Sequence, residues 1–314
     1  MSLTPFPKGI TSMGVPVLGG GATIPLTTGT YFFVHHNGSN AYDGKDSDHP
    51  FADFDYAIGQ CTAGKSDVIL GMPGHAETIS SAGAITADIA DITIQGLGDG
   101  LSRPTITYDT GATTIINVTG ANTKFRNLIF SANYADITMA IDVDAVGFQI
   151  EYCQFRDTAT DMNFLSCVGT DDSANAADDL VVVGNEYMSV DAGTLAFVSI
   201  LANTTGMRIQ GNVVQTASVA DVAHFLIMGS FVCLKAIITD NICIITGANT
   251  TQAAGLFATS SSTTSTGVMA RNYCGSLDNG TPLFDDADND FMHFENLYTG
   301  VIALQGYLVP AADS

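Results

Sequence analysis

A short phrase recurs along this chain, in which an alternating apolar run leads into an asparagine and a second apolar run follows. The copies are ITIQGLG around Gly96, KFRNLIF around Asn127, FQIEYCQF around Tyr152, VVVGNEYM around Asn185, MRIQGNVV around Asn212, IITDNICI around Asn241, VMARNYCG around Asn272 and MHFENLY around Asn296. The anchors step by 31, 25, 33, 27, 29, 31 and 24 residues. Self-similarity at such a period marks a fold that stacks one small unit repeatedly. A strand-helix-strand unit needs roughly 30 or more residues with a clear helix, and no amphipathic helix lies between the anchors. Instead there are short β-branched or aromatic runs (ATTIINVTG, DITMAIDV, TLAFVSIL, DVAHFLIMG, AAGLFATS) separated by Gly, Asn, Asp and Thr, the pattern of strands and tight turns. The expectation is an all-β, right-handed parallel β-helix over residues 67–300, each coil holding two or three strands.

The anchor has a physical task in such a fold. Coils stack at about 4.8 Å, so a side-chain amide at one turn can hydrogen-bond the turns above and below it. A buried amide column is satisfied only when stacked. Asn127, Asn185, Asn212, Asn241, Asn272 and Asn296 are therefore read as a structural ladder, interrupted at Tyr152 and Gly96. Cys243 and Cys274, each two residues past an anchor, should be core neighbours, as stacked thiols or as a disulfide.

The 314-residue chain is 46% hydrophobic and only 13% charged, which suits a β-rich fold with many turns. Its 32 acidic and 10 basic residues give a net charge of -22, which repels nucleic acid and anionic membranes and keeps a long β surface soluble. No stretch reaches the roughly 18 to 20 apolar residues of a membrane helix, and the N-terminus lacks a basic start followed by a compact apolar run. The six scattered cysteines form no CxxC pair, so they are read as reduced, buried thiols rather than a zinc site or disulfide framework.

The ends differ from the repeats. Residues 1–30 read as an extended arm with apolar beads at Phe6, Ile10, Val15, Val17, Leu18 and Ile24, suited to ordering against another surface. Residues 31–66 read as a cap with a short helix near Phe54 to Cys61, followed by a first strand at Asp67 to Leu70. Residues 301–314 read as a closing strand and tail.

The cap segment resembles the opening of pectate-lyase-like right-handed β-helix proteins. The resemblance is carried by the strand Tyr31 to Val34, the loop Asn37 to Gly44, Pro50-Phe51 before the helix, the turn Lys65-Ser66-Asp67, the strand Val68 to Leu70 and the run Pro73-Gly74-His75-Ala76-Glu77. Arm and cap together are also similar to the start of structural proteins of tailed phages. That resemblance implies a virion component, either a capsid decoration or cement protein or a tail spike or fibre. It further implies contacts with the major capsid protein or tail proteins, assembly in the host cytoplasm, and commonly a homotrimer.

The superfamily also holds polysaccharide lyases and hydrolases, so chemistry has to be sought residue by residue. The resemblance implies that lyase members place a basic residue beside Ca²⁺-binding carboxylates. Here Arg103, Lys124, Arg126, Arg156, Arg208, Lys235 and Arg271 sit amid no obvious acidic cluster. Glycoside hydrolysis needs two carboxyl groups, one with a raised pKa, and the richest supply is Asp142, Asp144, Glu151, Asp157, Asp161, Asp171, Asp172, Asp178 and Asp179. Polar turns call for the same residues. The absence of Trp counts against a sugar groove. His224 reads as a core histidine, His35 and His36 lack a third ligand, and the oxygen-rich loop of Asn37, Asn40, Asp43, Asp46 and Asp48 lacks the EF-hand spacing. No catalytic group, metal or cofactor is assigned from sequence. The function read first is a structural virion protein, with a polysaccharide-binding or polysaccharide-degrading tail spike as the alternative.

Overall fold

The computed structural model describes residues 10–12, 15–18, 24–170, 172–217, 225–247, 257–260, 264–276, 284–286, 290–299 and 306–307. Phe6, Asp171 and His224 lie outside them. The architecture is the expected right-handed parallel β-helix, with three sheets running along its length. Sheet I has ten strands from Tyr31–Val34 to Asp290–Phe294. Sheet II has ten from Ala76–Ile79 to Gly306–Tyr307, and sheet III eight from Thr86–Ala87 to Phe284–Asp286. One coil runs Lys124–Arg126 in sheet I, Ile129–Ala132 in sheet II and Ile141–Val143 in sheet III. No helix among the described residues is long and apolar enough to cross a membrane.

Period-two alternation decides what each strand buries. In sheet I the inward position is filled on successive coils by Ile94, Phe125, Ile150, Val182, Ile209 and Ile238, all in register and all buried. In sheet II the matching column is Phe130, Phe155, Tyr187, Val214, Cys243 and Cys274. Like side chains stack on like, as in the Phe130 and Phe155 rings, whose centroids are 4.9 Å apart. Each such burial contributes about 1.5–3 kcal/mol. Cys243 and Cys274 face each other across this register as free thiols, and all six cysteines are buried and unbonded.

The short helix is Phe54–Gly59, capped by the Asp53 carboxylate, which accepts the Tyr56 amide at 2.8 Å. It buries Phe54, Ala57 and Ile58 against the open end of the core. Tyr31–Val34 pairs in parallel with Val68–Gly71, so the first strand of sheet I lies within the segment read as cap. Residues just before it are tied down as well. The Thr27 hydroxyl bonds the Ser66 carbonyl, the Thr30 amide donates to Asp67 Oδ1 at 2.6 Å, and Tyr31 donates to the Pro25 carbonyl at 2.7 Å. At the other end Gly306–Tyr307 closes sheet II by pairing antiparallel with Leu297–Tyr298.

Sheet I passes into sheet II through a bend of two residues. The first adopts the left-handed conformation on every coil from Asn127 onward, as Asn127 (φ 56), Tyr152 (54), Gly184 (65), Gly211 (65), Asp240 (61), Arg271 (54) and Glu295 (55). The second holds the ladder. Asn212 shows the full pattern, in which Nδ2 donates to the Val182 carbonyl at 2.9 Å and to Asn241 Oδ1 at 2.9 Å, while its Oδ1 accepts the Asn185 backbone N–H at 2.9 Å and Asn185 Nδ2 at 3.1 Å. The same bonds link Asn185, Asn241, Asn272 and Asn296.

Asn127 is not in this column. It occupies the left-handed position one residue earlier, where its amide bonds the carbonyls of Gly96 and Gly98 at 2.9 and 3.1 Å. Nor does Tyr152 interrupt the ladder, because the ladder position of that coil is Cys153, whose N–H donates to Asn185 Oδ1 at 2.9 Å.

Asn212→Ala should strand several buried donors and acceptors at once and cost about 3 kcal/mol or more. Asn127→Gly keeps the left-handed backbone and gives up two bonds to carbonyls, so its cost should stay below about 1.5 kcal/mol. Urea midpoints of the two variants check this, and the reverse order would contradict the assignment.

Candidate functional site

The turns from sheet II to sheet III are longer than the two-residue bend and carry polar side chains outside the core. On three successive coils they span 133–140, 158–165 and 189–195. Tyr187 is wholly buried, and its hydroxyl reaches Asp157 Oδ1 at 3.2 Å and the Phe164 carbonyl at 3.1 Å. Asp157 ends its strand at the mouth of this corner, with Oδ2 accepting the Val190 amide at 3.0 Å. Burial pushes its carboxyl up to about 6, against the lowering effect of hydrogen bonds from Ser189, Val190, Tyr187 and Asp191.

Two further carboxylates sit on the flanking turns. Asp136 is held in the left-handed conformation (φ 51) and gives its N–H to Asn163 Oδ1 at 2.9 Å. Asp191 Oδ1 accepts the Gly193 amide at 2.5 Å. The point where a Cβ on Gly193 would sit lies 2.9 Å from Asp191 Oδ1, 3.5 Å from Asp136 Oδ1 and 3.8 Å from Asn163 Nδ2. Asn163 is 1% exposed, and its Nδ2 has no hydrogen-bond partner. A buried amide donor without a partner is a rare and costly arrangement.

Of the acids singled out from sequence that lie among the described residues, only Asp157 belongs to this corner. Glu151 is paired with Lys124 at 3.4 Å and Arg126 at 3.7 Å. Asp142 lies on the outer side of a sheet III strand, Asp144 and Asp161 are exposed on separate turns, and Asp172 is exposed. Asp178 accepts the Thr205 amide at 2.7 Å, and Asp179 is a left-handed turn residue. Four of the basic residues have partners of their own: Lys124 and Arg126 with Glu151, Arg271 with Asp240 at 2.6 Å, and Arg103 with Gln154 at 3.0 Å.

The other candidates resolve differently. Asn40 of the oxygen-rich loop bonds Asp53 at 2.7 Å and the Ala52 amide at 2.9 Å. Asp43 and Asp46 close their own turns at Lys45 and at Asp48 and His49. His35 and His36 gain a third imidazole that their spacing did not suggest. The His75 ring centroid lies 6.4 and 6.2 Å from theirs, and His75 Nε2 is 3.2 Å from Glu77, whose carboxylate also accepts the Phe54 amide. Both first histidines use Nδ1 to accept backbone amides, from Asn37 and Ala76. A neutral ring so engaged carries its proton on Nε2 and has no lone pair left for a metal. Among the described residues, no group of three or more His, Cys, Asp or Glu is arranged to hold a metal ion.

No family model matches the sequence, and no curated protein matches it. Among solved structures the chain is similar to a rhamnogalacturonan lyase, with 14% identity, a TM-score of 0.39, and coverage of 90% of this chain and 66% of that one. It is also similar to pectin methylesterase from carrot (12% identity, TM-score 0.40, 88% and 85% covered). A third similarity is to the GH136 lacto-N-biosidase from Eubacterium ramulus (9% identity, TM-score 0.34, 87% and 68% covered). Similarity at this level assigns neither activity nor substrate.

Asp157 has a measurable signature. Its folded pKa of about 6 lies above the ordinary 3.8, so folding favours the protonated form. That contribution is fully present below pH 4 and is lost as pH rises through about 6. Asp157→Asn, uncharged throughout, should therefore gain about 2–3 kcal/mol relative to the native chain between pH 4 and 7.5. Paired urea titrations across that range check it, and a difference independent of pH would contradict the buried carboxyl.

Proposed function

We propose that the protein is a structural component of a bacteriophage particle, a capsid decoration or cement protein or a tail-associated one, fastened through its N-terminal arm. The observation that carries this reading is that the two described strands of the arm pair with each other and join none of the solenoid sheets. Strands Ile10–Ser12 and Val15–Leu18 pair antiparallel with each other and form a sheet of their own, apart from the three solenoid sheets. Four of the apolar beads, Ile10, Val15, Val17 and Leu18, lie in that hairpin. A two-stranded sheet whose sequence carries these apolar residues is suited to docking on another virion protein.

The outer face of the solenoid supports contacts with neighbours too. Val213, Ile242, Ile244 and Leu297 point outward from sheet II, and Ile237, Met292 and Phe294 from sheet I, all more than a third exposed. Such rows on a chain of net charge -22 are where another protein can approach without charge repulsion, in keeping with the homo-oligomer expected of this class. The solenoid itself serves as a rigid spacer assembled in the host cytoplasm. The carboxylate corner favours a second reading, a tail spike that engages polysaccharide.

The test is deletion of residues 1–23, which spares Pro25, Thr27 and Thr30 and their bonds to the solenoid. Incorporation of the shortened protein into phage particles should be lost while its circular dichroism and urea midpoint stay unchanged. Undiminished incorporation would overturn the reading.

A further inference from the structure

We propose that the last four described coils of sheets I and II form a self-association surface, on which a second copy of this chain packs in antiparallel orientation. A sheet with one face in water alternates apolar and polar residues, whereas a strand apolar on both sides is one covered on both sides. The strands of these coils are of the second kind. Opposite the buried column of Ile209, Ile238 and Met269, sheet I turns Ile237, Met292 and Phe294 outward. Sheet II turns Val213, Ile242 and Leu297 outward, and all six side chains are more than a third exposed. The earlier coils carry Lys124, Arg126 and Glu151 at the matching positions of sheet I, and Arg156 and Glu186 at those of sheet II.

Whatever covers these faces has to approach a chain of net charge -22, and the charges left on them select a second copy and set its direction. Among the described side chains, four charged ones remain on the outward positions of the two sheets and the bend between them. They are Arg208, Asp240, Arg271 and Glu295, one per coil in that order along the stack. They sum to zero, so two copies meet here without the repulsion that the acidic remainder imposes. A parallel copy would set each charge against its like. An antiparallel copy, turned about a two-fold axis between the middle coils, sets Arg208 against Glu295 of the other copy and Asp240 against its Arg271, each pair occurring twice. The same operation brings Val213 to the height of Leu297, apolar against apolar. Charge pairs at the rim of a contact fix orientation more than they add affinity. Four coils at about 4.8 Å, and roughly 20 Å across two strands and the bend, make a face on the order of 400 Å². An apolar core of that size, ringed by polar side chains such as Gln210 and Gln215, suits a standard interface of about 800 Å² per partner.

This inference goes beyond the virion reading and does not depend on it: the assembly is a pair, not the homotrimer that the phage resemblance implies. The test is sedimentation equilibrium of the purified full-length chain beside Ile242→Lys, Arg208→Glu, Glu295→Arg and the double variant that carries both charge changes. The native chain should sediment at twice 32.7 kDa. Ile242→Lys should sediment as a single chain with unchanged circular dichroism, because the side chain it replaces points outward. Each single charge change should weaken the pair at least tenfold, and the double variant should restore it, since the two charges then trade places across the contact. Arginine is compatible with the left-handed backbone at 295, as Arg271 shows one coil earlier. A native chain that sediments as a monomer would overturn the proposal and leave the face to a different protein. A trimer would overturn it too, as would single changes that the double variant does not rescue.

Discussion

A two-residue bend inside a stack of coils leaves backbone amides pointing along the stack axis where water does not reach, and burying them unpaired would cost about 1–3 kcal/mol each. The asparagine column removes that cost. Each Oδ1 takes the backbone N–H of the coil before it, and each Nδ2 from Asn185 to Asn272 reaches both a carbonyl and the next Oδ1. The bond between neighbouring coils is therefore made at the bend as well as along the sheets. Spacing the strands correctly on either side then brings Ile on Ile and Phe on Phe, so the register of the whole core follows from the bend. Toward the N-terminus the column ends at Cys153, whose sulfur lies 3.5 Å from the Leu128 amide, a weaker substitute where aromatic stacking thickens the core.

The parts of this arrangement that repeat were legible in the sequence, and the parts that depend on pairing between coils were not. The strands, their period and five of the six ladder asparagines follow from a recurring phrase. Asn127 was misplaced because KFRNLIF puts its asparagine at the left-handed position, which other coils fill with Gly184, Gly211, Asp240, Arg271 or Glu295. Both positions of the bend welcome asparagine for different reasons, one for its amide and one for its tolerance of positive φ. Only the hydrogen bonds separate them.

The carboxylate corner needed more than composition. Asp136, Asp157 and Asp191 come from three different coils, Asp157 at a strand end and the other two on turns. Asp136 and Asp191 lie just before and just after the acidic runs between Asp142 and Asp179 on which the sequence reading drew, and most of the described acids in those runs face other sides. His75 was missed in the same way: it lies 39 residues after His36, and only the capping of the first coil brings the rings together. Charge tells the same story at the scale of the surface. A net charge of -22 suggests an acidic exterior throughout, yet the later coils of sheets I and II present rows of Ile, Val, Leu, Met and Phe.

Hydrogen exchange at the column examines its role directly. The backbone amides of Asn185, Asn212, Asn241 and Asn272 donate to the next asparagine's Oδ1 and not to a solvent-facing group. If the column holds the coils together, these amides exchange only when the solenoid unfolds globally, far more slowly than the amide of the exposed residue Ala192 on the 189–195 turn. Exchange of the column amides as fast as that turn, in a chain whose sheets remain protected, would show that the coils are held by the core alone.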